Sequence, residues 1–593
     1  MCGISVILDF SGSVEESHLH KMMKATHHRG PDADNILVKE FERSKLLMGA
    51  NRLQIIDKLE ASNQPLVSLN GRYALVFNGE IYNYEELRNK LLNEGVEFIT
   101  RSDTEVLLFH LVKNGVDGIR DLNGMFAFVF ADLENGDLIV ARDTIGIKPL
   151  FVHRGSNQVI ISSEINGILA SGLVKKELNE EVIPHYLAYK YAPQPATFYK
   201  HVEEMTPGMV WEVSASGEIE KTPTTPRLKT TKGAHLKNML VDSIVQQYTQ
   251  SNNTGVMLSG GVDSTLLLAI LNKELGYNHV PVYSITGTGK DEAYSRKAAA
   301  QYQAEYNEVN VNLSTFDRLG EYLSTIDQPV ADSASFLTWL IAEKAKGHSK
   351  VLLSGAGADE LFAGYNRHKA FYTYLLNRNK NWFKGVKQAR YLPQWLEVFS
   401  GLRKMAGSLD ANPSITFNNF LQSEYFRLDK ESIWEENLSN EQHFRRALNF
   451  DQNHYLMEDV LAITDHSSMR FSVETRVPYL DNHIITYTNS LPSLDLLSKG
   501  RKWMLKELLL SYGGEPYVGR KKKGFGLPIK EWFKQSEKKD WWSFNKKECQ
   551  LHSFVTSQSI DILIKKHLSG RADFSQELWR ILVLQKWLEH NFQ

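Results

Sequence analysis

The chain has 593 residues and a formal net charge of −2, and 42% of its residues are hydrophobic while 23% are charged. This length predicts two or three domains, and the composition is typical of ordinary globular cores. The near balance of charge excludes an overall field that would gather nucleic acid or an anionic membrane, so we expect neither partner. No apolar run approaches the roughly 18 residues of a membrane span, and the first residues do not form a signal-type segment.

The chain contains two cysteines, Cys2 and Cys549. Their separation does not suggest a disulfide framework, and neither cysteine lies in a spacing that is typical of zinc ligands. A reducing compartment fits this usage, so we expect a cytoplasmic protein.

Cys2 directly follows Met1. Removal of Met1 would place a thiol and a free α-amine on one residue, and an amine with a pKa of roughly 7.7 to 8 can accept the thiol proton. Cys2 would then be a nucleophile with its own base. Taken alone, the position of Cys2 is better explained by accident, since some residue must follow Met1, so the downstream residues have to decide.

The first part of the chain alternates short β-rich runs with polar turns, which predicts an antiparallel sheet and a few helices, such as one over 84–94. The expected strands lie at 4–10, 73–77, 125–132, 137–142 and 158–162. Residues 218–233 show no periodic apolar face and are predicted to be a linker. We therefore predict one domain over 2–210 and a second over 234–593.

The second part begins with apolar strands at 255–258, 280–285 and 351–353 that alternate with helical stretches. This order is typical of a doubly wound parallel sheet. From about 365 to 590 the pattern is mostly helical. We therefore expect an α/β domain with a helical C-terminal part.

Four clusters accompany Cys2 in the first part. They are His28-Arg29-Gly30-Pro31, Asn51-Arg52-Leu53, the run from Phe77 to Asn83, and Arg101-Ser102-Asp103. An asparagine side chain beside a glycine N–H, as in Asn78-Gly79, can supply two donors to a tetrahedral oxyanion. The alternative for this pair is an ordinary turn.

The same clusters hold charges that suit a free amino acid. Arg52 can bind an α-carboxylate, and Glu80 and Asp103 can bind an α-ammonium. Arg52 alone could equally be a surface charge. Taken together with Cys2, these residues predict hydrolysis of the side-chain amide of a free amino acid.

A second site is predicted where the strand at 255–258 runs into Ser259-Gly260-Gly261-Val262-Asp263-Ser264 and a helix over 265–275. Small residues at such a turn let backbone N–H groups converge on a phosphate. The loop is not of the GxxxxGK[ST] type, because no lysine follows.

A second turn of small residues follows the strand at 351–353 and runs from Ser354 to Tyr365. Its Asp359, like Asp263 of the first turn, is a carboxylate suited to Mg²⁺, although helix capping is the alternative for each. Lys502 stands at the start of an apolar helix, where it could also be an ordinary solvated lysine.

With these motifs, residues 2 to about 205 resemble the glutaminase domain of class II amidotransferases. Both parts in this order are similar to the glutamine-dependent asparagine synthetase family, including the stretches 468–481 and 521–528. The resemblance implies an α+β N-terminal-nucleophile sandwich of two antiparallel sheets with flanking helices, followed by the α/β synthetase domain. It implies glutamine, ATP, Mg²⁺ and a small carboxylate as ligands, with aspartate as the default acceptor, and it allows a homodimer.

The resemblance also assigns roles to single residues. Cys2 attacks the glutamine amide, Asn78 and Gly79 form the oxyanion hole, and Lys502 neutralises charge on the departing pyrophosphate. The amino-acid end of glutamine is held by Arg52, Asn78, Gly79, Glu80 and Asp103. The ATP site comprises Leu258, Ser259, Gly260, Gly261, Asp263, Ser264, Thr286, Ser354 and Gly355, and the metal ligands are Asp263 and Asp359.

Two departures from the family pattern concern the acceptor. Ala356 stands where asparagine synthetases carry a glutamate, and 330–335 replaces their Thr-Thr-x-Arg stretch. A methyl group can neither bind an ammonium nor accept a proton, so another carboxylate has to do so if aspartate is the acceptor. Asp332 is the candidate, with a loop cap as its alternative role. The other hypotheses are the same chemistry on a sugar uronic acid or a biosynthetic intermediate, and a silent scaffold.

Overall fold

The first part of the chain folds into two antiparallel sheets of six strands each, as seen in a computed structural model that describes residues 1–228, 235–249, 253–287, 289, 292–391, 400–520, 526–534, 550–570 and 572–592. One sheet has the order β10 (Glu203–Glu204), β8 (Phe151–Arg154), β9 (Gln158–Ser162), β1 (Cys2–Asp9), β3 (Lys45–Arg52) and β2 (Ala33–Glu40). The other has the order β12 (Ile219–Pro223), β11 (Met209–Val213), β7 (Leu138–Arg142), β6 (Gly124–Asp132), β5 (Tyr73–Ile81) and β4 (Leu66–Val67).

Alternating side chains fill the space between these sheets, because successive residues of a strand point to opposite faces. Ile4, Val6 and Leu8 of β1 belong to a core that both sheets share. Ile7 lies on the other face and packs in the cluster that contains Leu19. The helices of this part are α1 (Glu16–Thr26), α2 (Tyr84–Asn93), α3 (Asp103–Asn114), α4 (Ile165–Ala170) and α5 (Ile183–Tyr189).

The second part contains a parallel five-stranded sheet with the order β15 (Glu305–Asn310), β14 (Pro281–Thr286), β13 (Thr254–Met257), β16 (Val351–Leu353) and β17 (Glu474–Arg476). The strand order reverses between β13 and β16. Ligands of such sheets bind in the crevice beyond the carboxyl ends of the strands at this switch point. The loops after β13 and β16 are the two turns that the sequence predicts as the phosphate and metal site.

Helices surround this sheet and make up most of the remaining chain. Beside the sheet and its first loops lie α6 (Leu236–Thr249), α7 (Val262–Lys273), α8 (Glu292–Gln301), α9 (Leu319–Leu323), α10 (Ala334–Ala345) and α11 (Ala358–Leu361). The C-terminal part contains α12 (Asn366–Asn377), α13 (Asn381–Lys384), α14 (Ser400–Ser408), α15 (Pro413–Leu421), α16 (Asn440–Phe450), α17 (Ala462–Met469), α18 (Asn482–Ser490), α19 (Trp503–Leu510), α20 (Glu515–Val518), α21 (Ile529–Lys534), α22 (Ser557–Leu568) and α23 (Ser575–Asn591). A π-helical stretch, Asp451–Leu461, joins α16 to α17.

The predicted fold class is confirmed, and some predicted boundaries are wrong. Strand β5 continues to Ile81, so Asn78-Gly79 lies within a strand and the turn alternative is wrong. Helix α7 begins at Val262, three positions before the predicted start, because Gly261 is its N-cap. The start of the predicted linker forms β12, which pairs with β11 at the sheet edge. Residues 229–233 of that segment lie outside the described residues.

Buried ion pairs and apolar packing join the two parts. Arg29 of the first part contacts Asp465 of the second at 2.8 Å, and Lys148 contacts the same carboxylate at 3.4 Å. Ile145 and Ile147 of the first part pack in a hydrophobic core whose other members come mostly from helices and strands of the second part. Within the part of the chain that the structure describes, no helix combines the length and apolarity needed to cross a membrane.

Candidate active sites

Cys2 lies at the start of β1, opposite Arg52 in the register of β1 and β3. It is buried, and its backbone N–H donates a hydrogen bond of 3.1 Å to Oδ1 of Asn78. Asn78 belongs to β5 of the other sheet. The packing of the two sheets therefore brings the predicted nucleophile to the predicted oxyanion hole.

The predicted oxyanion hole has a donor that the protein itself leaves without a hydrogen-bond partner. Asn78 is fully buried, and its Nδ2 has no hydrogen-bond partner. Leaving a buried donor unsatisfied costs about 1–3 kcal/mol, which a developing oxyanion could offset. Gly79 follows in the same strand, and a Cβ there would overlap the carbonyl oxygen of Met125. Only glycine therefore fits at this position of the strand pair.

Gln64 is a residue of this site that the sequence motifs miss. Its Nε2 lies 3.6 Å from Sγ of Cys2, and its Oε1 accepts a 2.6 Å hydrogen bond from the N–H of Phe77. The backbone of β5 thus holds the Gln64 amide against the thiol. No local pattern around Gln64 signals this role.

The predicted holders of the amino-acid end lie on three elements. Arg52 donates through both terminal nitrogens to the carbonyls of Leu59 and Asp57. Asp103, at the start of α3, accepts a 3.1 Å hydrogen bond from the N–H of Ile81. These bonds fix the side chains before any ligand arrives.

Glu80 has a partner that the sequence did not predict. Its Oε2 lies 3.1 Å from Nη2 of Arg476, a residue of β17 in the second part, while its Oε1 has no hydrogen-bond partner. Arg476 also contacts Glu474 at 2.5 Å, and the Met1 ammonium lies 3.3 Å from that same carboxylate. Half of the Glu80 carboxylate therefore remains for a ligand.

Burial sets the protonation of this site. It raises the pKa of the Cys2 thiol against the opposing effects of the N-terminal ammonium and Arg52. Burial also raises the pKa of Asp103, and burial together with the charge of Asp103 raises the pKa of Glu80 well above its usual range. An arriving α-ammonium would counter these effects and favour the ionised carboxylates.

The loop after β13 is held by its own serines. The N–H of Ser259 donates to Oγ of Ser264 at 3.1 Å, and the N–H of Gly261 donates to Oγ of Ser259 at 3.3 Å. The loop after β16 lies against it, since a Cβ on Gly355 would approach Cβ of Asp263 to 2.9 Å. The two predicted turns therefore form one site.

Lys502 joins the two turns. Its Nζ lies 2.7 Å from Oδ2 of Asp263 and 2.5 Å from Oδ1 of Asp359, and only 5% of the residue is exposed. The alternative of an ordinary solvated lysine is therefore wrong. Gly364 packs against this group, because a Cβ there would overlap Asp359 Oδ1 and Lys502 Cε. We refer to Lys502, Asp263 and Asp359 as the charged triad.

The charged triad supplies donors that fit magnesium. Mg²⁺ prefers oxygen ligands and typically takes one or two protein carboxylates together with phosphate oxygens and water. Asp263 and Asp359 face one another across a single ammonium group. In the described ranges, no group of three or more His, Cys, Asp or Glu residues could hold a metal ion, so the phosphates would have to complete the coordination.

The other predicted nucleotide contacts surround the switch point. Leu258 follows β13 and donates its N–H to the carbonyl of Tyr283, Thr286 ends β14, and Ser354 donates its N–H to the carbonyl of Arg476. Arg520 is a further residue here, because its Nη2 lies 3.5 Å from the place of a Cβ on Gly261. From the sequence alone, Arg520 is interpreted only as part of a local basic run. Residues 521–523 of that run lie outside the described residues.

Asp332, the predicted acceptor residue, lies just before α10, and a second buried carboxylate, Glu360, lies in α11. Asp332 accepts the Ala334 N–H at 3.0 Å and contacts Lys190 at 3.1 Å, so it forms the loop cap that was its alternative role. Glu360 is buried next to Asp359 and accepts a 2.5 Å hydrogen bond from Tyr365. Burial, with the charge of Asp359, raises the pKa of Glu360 to about 7.

Comparison with known proteins supports both parts. Residues 1–223 match the glutamine amidotransferase domain family, and residues 235–589 match the asparagine synthase family. The chain belongs to the asparagine synthase family. The two matches together identify an enzyme, a glutamine-dependent ligase.

Individual relatives align along most of the chain. The asparagine synthetase [glutamine-hydrolyzing] 1 of Bacillus subtilis is 28% identical, over 98% of this chain and 94% of its own. Asparagine synthetase [glutamine-hydrolyzing] 3 of the same organism is 25% identical, over 95% and 93%. An amidase, chyE, of Penicillium rubens is also 25% identical, over 90% and 89%.

Proposed function

We propose that this enzyme hydrolyses glutamine at Cys2 and uses the ammonia to convert an ATP-activated carboxylate into a carboxamide, through an acyl-adenylate. AMP, pyrophosphate and glutamate leave. The observation that carries the proposal is the charged triad at the switch point, together with the unmatched Nδ2 of Asn78 beside Cys2. Each part of the chain thus has a site suited to one half of the reaction.

The contacts around Cys2 support the glutamine hydrolysis that we propose. The thiolate attacks the side-chain amide carbon, and the resulting oxyanion accepts hydrogen bonds from Nδ2 of Asn78 and the N–H of Gly79. Collapse of this intermediate expels ammonia, and water then cleaves the thioester to release glutamate. Because burial raises the pKa of the thiol, an adjacent base is needed. The α-amine that removal of Met1 would expose on Cys2 can serve, since that nitrogen is already held by Asn78.

Activation of the carboxylate takes place at the charged triad. A carboxylate oxygen attacks the α-phosphorus of ATP, and the bond to the bridging oxygen of the β-phosphate breaks. Bound Mg²⁺ would neutralise phosphate charge between Asp263 and Asp359. Lys502 can stabilise the departing pyrophosphate, and N–H groups at the start of α7, which follows this loop, can bind its oxygens. Ammonia then attacks the acyl carbon, loses a proton and displaces AMP.

The acceptor has two candidates. The relatives named asparagine synthetases suggest aspartate, which would give asparagine. The second candidate is a different carboxylate, and Ala356 favours it because its methyl group cannot hold the α-ammonium of aspartate. Ala356 also packs against the apolar core of the second part, so no charged group is available at that position.

The test is an assay with ATP, Mg²⁺, glutamine and a panel of carboxylates that includes aspartate. We expect AMP, pyrophosphate and glutamate in equal amounts, and a product in which NH₂ replaces OH by mass spectrometry. Formation of ADP and phosphate in step with the product would contradict the proposal. If glutamate is released but no carboxylate of the panel leads to AMP formation, the enzyme has only glutaminase activity.

A further inference from the structure

A cavity of about 780 Å³ lies where the two parts of the molecule meet, among the ends of α5, α15, α21 and α23. Cavities of roughly 300–1,000 Å³ are typical sites for molecules of drug size. Aspartate would occupy only a small part of this one. The cavity therefore has room for a molecule considerably larger than an amino acid.

The wall of this cavity is positively charged. Among the described residues that line it, lysines and arginines outnumber aspartates and glutamates by seven to three. Lys404 and Lys534 are exposed members of this set at the outer end. Tyr189, Tyr191 and Tyr455 also line the cavity, and their aromatic rings offer flat surfaces to a ligand. Such a wall suits an anionic ligand that also has a surface for stacking.

The inner end of the cavity reaches the charged triad through a short chain of contacts. Arg367 lines the cavity, and its guanidinium lies 3.9 Å from the centre of the Tyr365 ring. Tyr365 donates its hydrogen bond to Glu360, which follows Asp359 in the chain. Side-chain contacts therefore connect the wall of the cavity at Arg367 with the charged triad.

Polar atoms without partners lie at Arg367, which lines the cavity, and at Asp459, a buried residue near it. Nη2 of Arg367 has no hydrogen-bond partner, although its Nε contacts Asp451 at 2.8 Å. Both carboxylate oxygens of Asp459 also lack partners, and Asp459 is 1% exposed. The charges that act on Asp459 include those of Asp332, Lys190 and Arg367. A ligand with one anionic end and several donors would satisfy these atoms.

Asp459 lies in the π-helical stretch Asp451–Leu461. Such stretches are rare, and they occur frequently at functional sites. Lys190, which lines the cavity, reaches Asp332 from the end of α5 in the first part. The inner end is therefore built from both parts of the chain.

We propose that this cavity is the acceptor site, and that the acceptor is a carboxylate larger than aspartate which also carries a phosphate group. The reacting carboxylate binds at the inner end beside Arg367, with hydroxyl or amine donors facing Asp459. The phosphate group binds at the outer end near Lys404 and Lys534. A phosphate monoester carries about −1.5 to −2 at neutral pH, which matches the excess of cations better than a second carboxylate does. The assignment rests on the proposed function.

The test compares three probes by calorimetric titration of the full-length enzyme: aspartate, glucuronic acid and glucuronic acid 1-phosphate. We expect the phosphate-bearing probe to bind at least about tenfold more tightly than either other probe, because a cationic wall rewards the additional charge. The double variant Lys404→Glu, Lys534→Glu should remove this advantage, because it weakens the phosphate-bearing probe by a larger factor than glucuronic acid. Both positions are exposed, so folding should be preserved.

A matched control and a second variant sharpen the result. Lys565→Glu changes an exposed lysine of α22 outside the cavity and should leave all affinities unchanged. Asp459→Asn should weaken glucuronic acid and its phosphate by the same factor, because it acts on the donors that both probes share. A variant at Asp459 that spared both probes would contradict the placement of the inner end.

The proposal is overturned if aspartate binds as tightly as the phosphate-bearing probe, or if the double variant keeps the preference for that probe. Failure of the proposed function has a different signature, namely ADP in place of AMP in the assay with the acceptor panel. Efficient AMP formation with aspartate that is insensitive to Lys404→Glu, Lys534→Glu would sustain the function and refute the acceptor class.

Discussion

At Cys2 several buried polar atoms have no partner, whereas at Lys502 the buried charged groups are partners of one another. Nδ2 of Asn78 and Oε1 of Glu80 make no hydrogen bonds, while Nζ of Lys502 contacts two carboxylates. The first site is thus arranged to receive a ligand without rearrangement, and its unsatisfied atoms cost stability until the ligand arrives. At the second site, nucleotide and metal have to exchange existing contacts for new ones.

Arg476 lies between the two sites. Its guanidinium contacts Glu80 in the first site, and its carbonyl accepts the N–H of Ser354 in the second. One residue of β17 therefore contacts both Glu80, which is predicted to bind glutamine, and the loop that is predicted to bind ATP. The two sites differ in whether their buried polar atoms have partners, but Arg476 of β17 contacts both sites.

The strongest test of this separation is Cys2→Ala. Removal of the thiol should lower glutamine-dependent synthesis by at least about a thousandfold, because the nucleophile is lost. Ammonia-dependent synthesis should persist, since the charged triad is untouched. Product formation is measured with glutamine and with ammonium chloride in parallel. A folded variant that has lost both activities would show that the two sites do not work separately.

The next effect in size concerns Gly364→Ala, which should impair the other site alone. The added methyl group would overlap Asp359 and Lys502 and displace the charged triad, and misplacement of catalytic groups by about 1 Å can cost about a hundredfold in rate. Pyrophosphate release should fall accordingly, while glutamine hydrolysis stays at the wild-type rate.

Gly320→Ala is the matched control for Gly364→Ala. A Cβ at Gly320, in α9, would meet no atom within 4 Å, so both activities should be preserved. Wild-type pyrophosphate release by Gly364→Ala would mean that the triad tolerates displacement. It would also remove the contrast between the two sites.

The motifs at both sites could be predicted because residue type and local order carry the chemistry. The run Ser259–Ser264 contains the small residues, the serines that hold the loop and the carboxylate within one strand-to-helix turn. The fold class followed from the change from antiparallel to parallel strand patterns. Boundaries were less predictable. Strand β5 continues through Asn78-Gly79 because nine residues pair with β6, which outweighs the local turn preference.

Contacts between distant residues could not be predicted from local patterns. Gln64 and Cys2 are in contact although they are 62 positions apart in the sequence, and Arg476 and Glu80 are in contact although they are 396 apart. The pairing of Lys502 with two aspartates likewise depends on the meeting of the starts of α7, α11 and α19. The role of Asp332 as acceptor ligand stays a prediction, although its capping bond to Ala334 explains its presence equally well. Only packing of the whole chain creates such contacts.

A third prediction concerns the buried Glu360 beside the charged triad, whose pKa is raised to about 7 by burial and by Asp359. The folded state therefore holds a proton that the unfolded state releases at lower pH. The contribution of Glu360 to the free energy of unfolding should therefore fall by about 3 kcal/mol as the pH rises from about 4.5 to about 7. Glu360→Gln stays neutral and should escape this loss. Its melting temperature relative to wild type should therefore rise across that interval.

The control for Glu360→Gln is Glu97→Gln, which changes an exposed side chain far from the triad. Its melting temperature should follow that of the wild type at every pH. A constant difference between Glu360→Gln and wild type from about pH 4.5 to about pH 8 would show that Glu360 does not titrate in this range. Charge balance in the second site would then rest on the triad alone.

The smallest effect is expected for Gln64→Glu, which tests how the first site tunes its thiol. The glutamate keeps an oxygen for the N–H of Phe77 but replaces the donor to Cys2 Sγ by a negative charge. That charge should raise the pKa of the thiol further, so the glutaminase pH profile should shift to higher pH and the rate at neutral pH should fall about tenfold. Ammonia-dependent synthesis by the same variant is the internal control and should not change. A lower rate with an unshifted profile would mean that Gln64 only supports β5, and that the thiol of the first site is tuned by burial alone.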